Sequence, residues 1–349
     1  MKYLKKRKKH LPVFVVAVLD VLLVGMILVT FAFFHHVLPA MQSVQAKPQP
    51  TEPVQTQHQE TTVPPETTLP PETTAPTEPD TRTEWQKKFE DKFTDEVVIT
   101  ENSYTSPEVS IVIDTIVEGE GRSKITYYVA DIYIASLDNF KAFTANNELR
   151  YFGTQPGGEM AKQSNAILAI SGDFITYQQG GFLLRNGEIY SQQHNFNSIC
   201  VLFPDGTIET HVGSTYQIED ILARDPLQIW SFGPVLLDEN GNTRDHYEVS
   251  TAVGYPNPRS GIGYYEPGHY CFVIVDGRNE GHSAGMKIPE LAQVFADLGC
   301  TAAYNLDGGG TAVMYFNGEK FSVQSNGSRD LGDILLITET GFSLQEGEE

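Results

Sequence analysis

The chain is poor in cysteine, in positive charge beyond its first ten residues, and in long apolar runs beyond a single one. It has three cysteines in 349 residues, Cys200, Cys271 and Cys300. An odd number with no CxxC pair excludes a disulfide-framework scaffold and a cysteine-based zinc site. Cys271 and Cys300 sit in or beside apolar, strand-like runs, so they read as buried inert thiols, with a Cys271–Cys300 disulfide as the alternative. Lysine and arginine together number 24 against 45 aspartates and glutamates. Setting aside the six basic residues among the first ten, and Asp20, leaves 18 against 44, a net charge of −26. Such a field repels nucleic acid and excludes a phosphate-backbone binder. Any anionic substrate must be held by individually placed arginines and amides.

The one long apolar run covers residues 11–38, where Asp20 is the only acidic or basic residue apart from His35 and His36. It exceeds the ~20 residues a helix needs to cross a bilayer and the ~7–15 of a signal-peptide core. Lys2, Lys5, Lys6, Arg7, Lys8 and Lys9 precede it. The run therefore reads as an uncleaved single-pass anchor in the cytoplasmic membrane, with residues 1–10 inside and the rest outside. Residues 39–82 carry Pro, Thr, Gln and Glu, with the near-repeat ETTVPP, ETTLPP, ETTAPT at 60–77. They offer too little apolar surface to pack, which predicts a disordered, partly polyproline stalk. Its reach is on the order of 100 Å. A folded domain follows at 83–340, then an acidic tail at 341–349.

Within the domain, Trp85, Phe89 and Phe93 recur at helical spacing and predict a short helix over 84–94. Strand-like runs occupy 109–116, 126–135 and 166–170, the last apolar throughout, as in a strand buried on both faces. Asn186-Gly187 and Asp205-Gly206 mark hairpins between 182–184 and 188–190, and between 198–203 and 207–211. A helix is expected over 218–223, strands over 228–232 and 235–237, and later strands over 261–265, 312–316, 320–323 and 333–337. Residues 269–275, a helix opened by Pro289 and stopped by Gly299, and residues 301–306 form a strand–helix–strand crossover. Its two strands are expected to be parallel. The domain is thus α+β, a mixed β-sheet core with hairpins and one parallel crossover.

Parallel strands end on one edge of a sheet, so Asp276 and Asp307, each following the last apolar residue of its strand, are expected at one rim. Ligands of open sheets bind outside such carboxyl ends. Asp173 stands at another strand mouth. Gly308-Gly309-Gly310 and Thr311 follow Asp307, and three consecutive glycines free their backbone to turn N–H groups towards an anion or a sugar. They are not a P-loop, because neither Lys-Ser/Thr nor a helix follows. Plainer readings stand beside these. Asp173 and Asp276 can serve as turn residues, Arg259 as a surface ion pair, and Ser283 with Gly285 as a lead into the helix. His282, alone in a loop, reads as incidental.

AISGDF (169–174), SFGPVL (231–236), NPRSGIG (257–263), VDGR (275–278), SAGMKIPELA (283–292), NLDGGGT (305–311) and SRDLGDILLI (328–337), in that order, resemble the phosphodiester glycosidase family. The resemblance covers roughly 97–338 and departs at Ser171, where the family has Asn, and at Thr311, where it has Ser. It implies hydrolysis of a sugar-1-phosphate diester, or a phosphate-bearing glycan, at the glycosidic bond. That reaction has an oxocarbenium-like transition state that carboxylates stabilise, and its phosphate leaving group needs cationic and N–H stabilisation. Asp173, Asp276 and Asp307 match the first need. Arg259, Arg278, Ser283, the amides of Gly308, Gly309 and Gly310, and Thr311 match the second, arginine meeting phosphate in a bidentate way. Three aspartates leave room for a structural cation, but no ligand spacing calls for a catalytic metal or cofactor. The competing readings are a cell-envelope phosphodiesterase or phosphotransferase that breaks P–O, and a non-catalytic surface glycan-binding module.

Overall fold

The computed structural model describes residues 80–147, 153–174, 181–193 and 198–340. The expected anchor at 11–38, the stalk up to residue 79 and the tail at 341–349 lie outside these residues. Among those described, no helix is long and apolar enough to cross a membrane.

The domain opens with helix α1 (Glu84–Lys88), whose Thr83 cap accepts from Gln86 N while the Gln86 side chain accepts from Thr83 N. This capping box satisfies two otherwise orphaned donors. The helix is shorter than the expected 84–94: it ends at Phe89, which turns in to pack edge-on against Tyr133, 5.1 Å between ring centroids. Strands β1 (Val98–Ile99), β2 (Ser103–Thr105), β3 (Val109–Glu118), β4 (Ile125–Ile134) and β5 (Phe140–Thr144) follow. Helix α2 (Gly157–Gln163) leads into β6 (Leu168–Ser171), which is buried throughout. Next come β7 (Gly181–Arg185), β8 (Glu188–Gln193), β9 (Ile199–Leu202), β10 (Ile208–His211), α3 (Ile218–Leu222) and β11 (Gln228–Trp230). The chain continues through α4 (Thr251–Gly254), β12 (Arg259–Glu266), β13 (His269–Val275), α5 (Ile288–Asp297) and β14 (Ala302–Asn305). It closes with β15 (Met314–Phe316), β16 (Glu319–Lys320) and β17 (Asp333–Ile337).

These strands form three sheets, ordered β1-β2-β3-β4-β13-β12-β14, β10-β9-β11-β7-β8 and β16-β15-β6-β17-β5. Both predicted hairpins are present, β7–β8 and β9–β10. The ladders between described strands are antiparallel. The crossover strands β13 and β14 do run parallel, but they are not neighbours. β12 lies between them and is antiparallel to both, with Arg259 opposite Val275 and Gly261 opposite Asn305. The reason is the tight turn at Glu266-Pro267-Gly268, which folds β12 directly onto β13 and leaves α5 to carry the chain over one strand.

Period-two alternation gives β13 two buried faces. Tyr270, Phe272 and Ile274 point into the core shared by all three sheets, with Trp230, Leu168 and Leu335. Cys271, Val273 and Val275 point the other way, onto Leu291 and Phe295 of α5. Close approach there requires glycine on β12: a Cβ at Gly263 would lie 2.7 Å from the Phe295 ring and 2.6 Å from Cys271 Sγ. Truncating Phe295 to alanine would cost about 3–5 kcal/mol on this packing. The cysteines are buried free thiols, with Cys271 Sγ 3.5 Å from Cys300 Sγ.

Candidate active site

The C-terminal ends of β6, β13 and β14 and the start of β12 meet at one rim. Asp307 N donates to Gly172 O (2.9 Å), Leu306 N to Ser260 O (2.8 Å), and Ser260 Oγ to Ser171 O (3.1 Å). These bonds join the first sheet to the third where Asp173 and Asp307 leave their strands, so the two aspartates that are 134 positions apart in sequence become neighbours.

Asp307 is 8% exposed. Burial pushes its carboxyl up to about 7, against the pull of the Thr311 hydroxyl, the Arg329 guanidinium and the Gly308 N–H, while Asp173 pushes the same way as burial. Arg329 Nη2 lies 3.8 Å from its Oδ2. A buried group that loses its proton near neutrality is suited to proton transfer or to switching on a charge. In the glycine loop, Gly309 has φ +65° and donates its N–H to Pro258 O (2.9 Å). The Arg278 guanidinium lies over it, 3.1–3.2 Å from where a Cβ would stand, so glycine is needed there on both counts. Thr311 Oγ1 sits 2.8 Å from the Gly308 carbonyl oxygen.

Asp173 is engaged from every side. Its Oδ2 accepts from Ser231 N (2.7 Å) and Arg185 Nη2 (3.2 Å), and its Oδ1 accepts from Phe232 N (3.1 Å). Arg185 is itself buried and also donates Nε to Asp333 Oδ2 (2.8 Å), whose Oδ1 accepts from Asp173 N (2.8 Å). Burial raises Asp173 to about 6 although Arg185 opposes the rise, and Asp333 is raised for the same reason.

Asp276 is 1% exposed at its side chain. Its Oδ2 accepts from His282 Nε2 (2.6 Å), Tyr128 OH (2.8 Å) and Val323 N (3.3 Å). Its Oδ1 is buried with no hydrogen-bond partner among the described residues. Burial raises the carboxyl, and His282 and Tyr128 draw it back.

The two expected phosphate arginines part company. Arg259 is buried, donating Nε to Met286 O (2.9 Å) and Nη2 to Val253 O (2.6 Å) and Tyr255 O (2.8 Å). Burial and the nearby Arg278 lower it to about 10. Arg278 is exposed at φ +55°, held by Asn257 Oδ1 through Nε (3.1 Å) and Nη2 (2.6 Å). It borders a cavity of about 330 Å3 that Arg122, Lys124 and Ser283 also line. Ser283 spends its hydroxyl inside the loop, donating to Asp276 O (2.6 Å) and accepting from Thr126 N (3.0 Å). The gathered site is therefore Asp307, Gly308–Gly310, Arg278 and Arg329, backed by Asp276 with His282. Asp173 and Arg259 sit behind it in hydrogen-bond networks of their own.

Reasoning from sequence missed Arg185, Asp333, Tyr128 and Arg329. The motif SRDLGDILLI contains two of them, Arg329 and Asp333, and its three charges around a strand start were the available signal. Among the described residues, no three His, Cys, Asp or Glu side chains are placed to hold a metal ion.

Fold and site together define a three-sheet α+β domain that gathers carboxylates and arginines where its strands end. Residues 164–338 match the model of the phosphodiester glycosidase family. The chain belongs to that family. It is 25% identical to N-acetylglucosamine-1-phosphodiester alpha-N-acetylglucosaminidase of Bos taurus over 49% of this chain and 35% of that protein. The human enzyme of the same name is 26% identical over 50% and 38%. An uncharacterized SPbeta prophage-derived protein of Bacillus subtilis is 25% identical over 56% and 33%. The chain thus spans about a third of the length of these relatives. The catalytic domain of the zebrafish N-acetylglucosamine-1-phosphodiester alpha-N-acetylglucosaminidase, auto-inhibited by its pro-peptide, shares the fold at 19% identity. The TM-score is 0.56, covering 70% of this chain and 88% of that one.

Proposed function

We propose that this protein is a membrane-anchored extracellular hydrolase that cleaves the glycosidic C1–O bond of sugar-1-phosphate diesters in surface polysaccharide or glycan. It releases the sugar and leaves a phosphomonoester. The observation that carries this reading is Asp307, a buried carboxyl held near 7 at a strand mouth, with Arg329 beside it and Arg278 on the adjoining glycine loop. In its ionised form Asp307 stabilises positive charge at C1, and Arg278 holds the departing phosphate, where a guanidinium is worth most. Residues 11–38, the basic residues before them and the Pro/Thr-rich stretch after them support the anchor and the outward placement.

The test is turnover of a panel of sugar-1-phosphate diesters in 18O-labelled water, beginning with N-acetylglucosamine 1-phosphodiesters because the relatives' name nominates them. Label in the released sugar is expected. Label in the phosphate would make the protein a P–O phosphodiesterase, and no turnover with any diester would leave a glycan-binding module.

A further inference from the structure

Hydrolysis at a glycosidic carbon calls for a group that takes the proton of the attacking water as well as one that meets the charge at C1. Asp173 does not supply it, because its oxygens are already bonded to two backbone N–H groups and Arg185. Asp276 is closed off too, with its side chain 1% exposed and three donors on Oδ2. One of those donors is itself open: the His282 ring is 30% exposed. We propose that His282 is the second proton-transfer group of this site and that Asp276 is a positioning residue acting through it. This rests on the hydrolase reading above.

The loop carrying the histidine is built to hold it. His282 N and Ser283 N both donate to Asn279 O, at 3.1 and 2.9 Å. Ser283 Oγ donates to Asp276 O, and Thr126 Oγ1 donates to His282 O (3.1 Å), which pins the loop to β4. The same loop touches the Asp307 side of the rim. Val323 N donates to Asp276 Oδ2, and the next residues bind the glycine loop, Gln324 Nε2 to Gly310 O (2.9 Å) and Ser325 Oγ to Gly309 O (3.4 Å). Arg278, two residues after Asp276, lies on Gly309.

The chemistry follows from which nitrogen is occupied. A carboxylate only accepts, so Nε2 carries the proton donated to Asp276 and Nδ1 of the neutral ring is the acceptor. The water oxygen bonds to C1 while the C1–O bond breaks and its electron pair leaves on the phosphate oxygen. Nδ1 takes the water's proton, Asp276 steadies the imidazolium without being protonated, and the proton ends on the released phosphomonoester. Tyr128 OH, 2.8 Å from the same Oδ2, keeps the carboxylate facing the ring.

The experiment compares full-length protein with His282→Gln, His282→Ala and Asp276→Asn. Glutamine keeps a donor for Asp276 but has no basic nitrogen. His282→Gln, which still donates to Asp276, should keep its melting temperature. His282→Ala leaves the buried carboxylate one donor short and should melt lower. In both, kcat should fall about 10²–10⁴-fold with KM within a few fold, and Asp276→Asn should lower kcat in the same way. Added imidazole should restore part of the rate of His282→Ala. A kcat of His282→Gln within threefold of wild type would overturn the assignment. A wild-type protein that turns over no diester would instead count against the hydrolase reading. In that case 15N spectra of histidine-labelled protein decide about His282. An unprotonated Nδ1 that shifts when a sugar 1-phosphate is added supports the assignment, and an Nδ1 that does not move overturns it.

Discussion

Replacing Asp307 by asparagine tests the site and the physics behind it at once. The structure buries this carboxyl and raises it from 3.8 to about 7, with burial as the main cause. That displacement corresponds to roughly 4 kcal/mol against the charged form, at 1.36 kcal/mol per pH unit. The sign follows from proton binding. The folded protein keeps the proton up to about pH 7, whereas the unfolded chain gives it up near 3.8. The group's favourable contribution is therefore complete below 3.8 and is lost as pH rises through 7. Asparagine keeps the shape and one acceptor for the Gly308 N–H but cannot ionise. At pH 8 the variant is expected to be the more stable protein by about 2–4 kcal/mol, roughly 5–10 °C in melting temperature for a domain of this size. At pH 5 the gap should be much smaller. Turnover of a sugar-1-phosphate diester should fall by about 10²–10⁴-fold. Melting curves at pH 5 and 8 and turnover are measured on the same preparation. A variant that melts lower than wild type at pH 8 and keeps near-normal turnover would refute the reasoning, because Asp307 would then be holding its turn together.

Removing Arg185 as Arg185→Met leaves Asp173 and Asp333 buried without their cation, and breaking a buried pair in this way costs about 3–5 kcal/mol. A urea midpoint showing a loss under 1 kcal/mol would contradict that network. Arg259→Lys forfeits bonds to the carbonyls of Met286, Val253 and Tyr255, so it should destabilise by about 2 kcal/mol. Arg278→Lys should leave stability within about 1 kcal/mol while raising KM for the diester, and the opposite pattern for the two arginines would exchange their roles. A chain beginning at Asp80 should fold and stay soluble without detergent, since Thr83 caps α1 and Trp85 packs beside the core. Aggregation relieved only by detergent would show the boundary to be misplaced.

Local signals carried over to the structure with little loss. Asn186-Gly187 and Asp205-Gly206 became hairpin turns, and the pattern from Pro289 to Gly299 became α5 with Leu291 and Phe295 facing the sheet. The rim was legible too, because it needs only the direction of two strands, and β13 and β14 point the same way whether or not β12 separates them. The intervening strand was not legible. A hairpin turn shows that two strands pair, but not on which side of the next strand the pair will lie.

The direction of a side chain is the harder quantity, and it decided the site. The residue types at a strand mouth follow from the sequence. Whether a charge there faces solvent or an interior carbonyl depends on groups far along the chain. Arg259 turns inward because Val253, Tyr255 and Met286 leave carbonyls for it to satisfy, whereas Arg278, bonded to Asn257, is left exposed over Gly309. Asp173 turns inward because Arg185, which reads locally as a hairpin corner, is buried between it and Asp333. A buried guanidinium with two buried carboxylates is costly unless each hydrogen bond is made, and this network spends Asp173 on that requirement. Once Asp173 and Arg259 are committed to the interior, the rim keeps Asp307, buried but without a bonded cation as close as the one on Asp173, together with Arg278, Arg329 and the histidine on Asp276. Those four groups, two loops apart in sequence and linked through residues 323–325, gather a carboxyl, an imidazole and two guanidinium groups around one strand mouth, the set that the proposed cleavage of a phosphate-linked sugar would use.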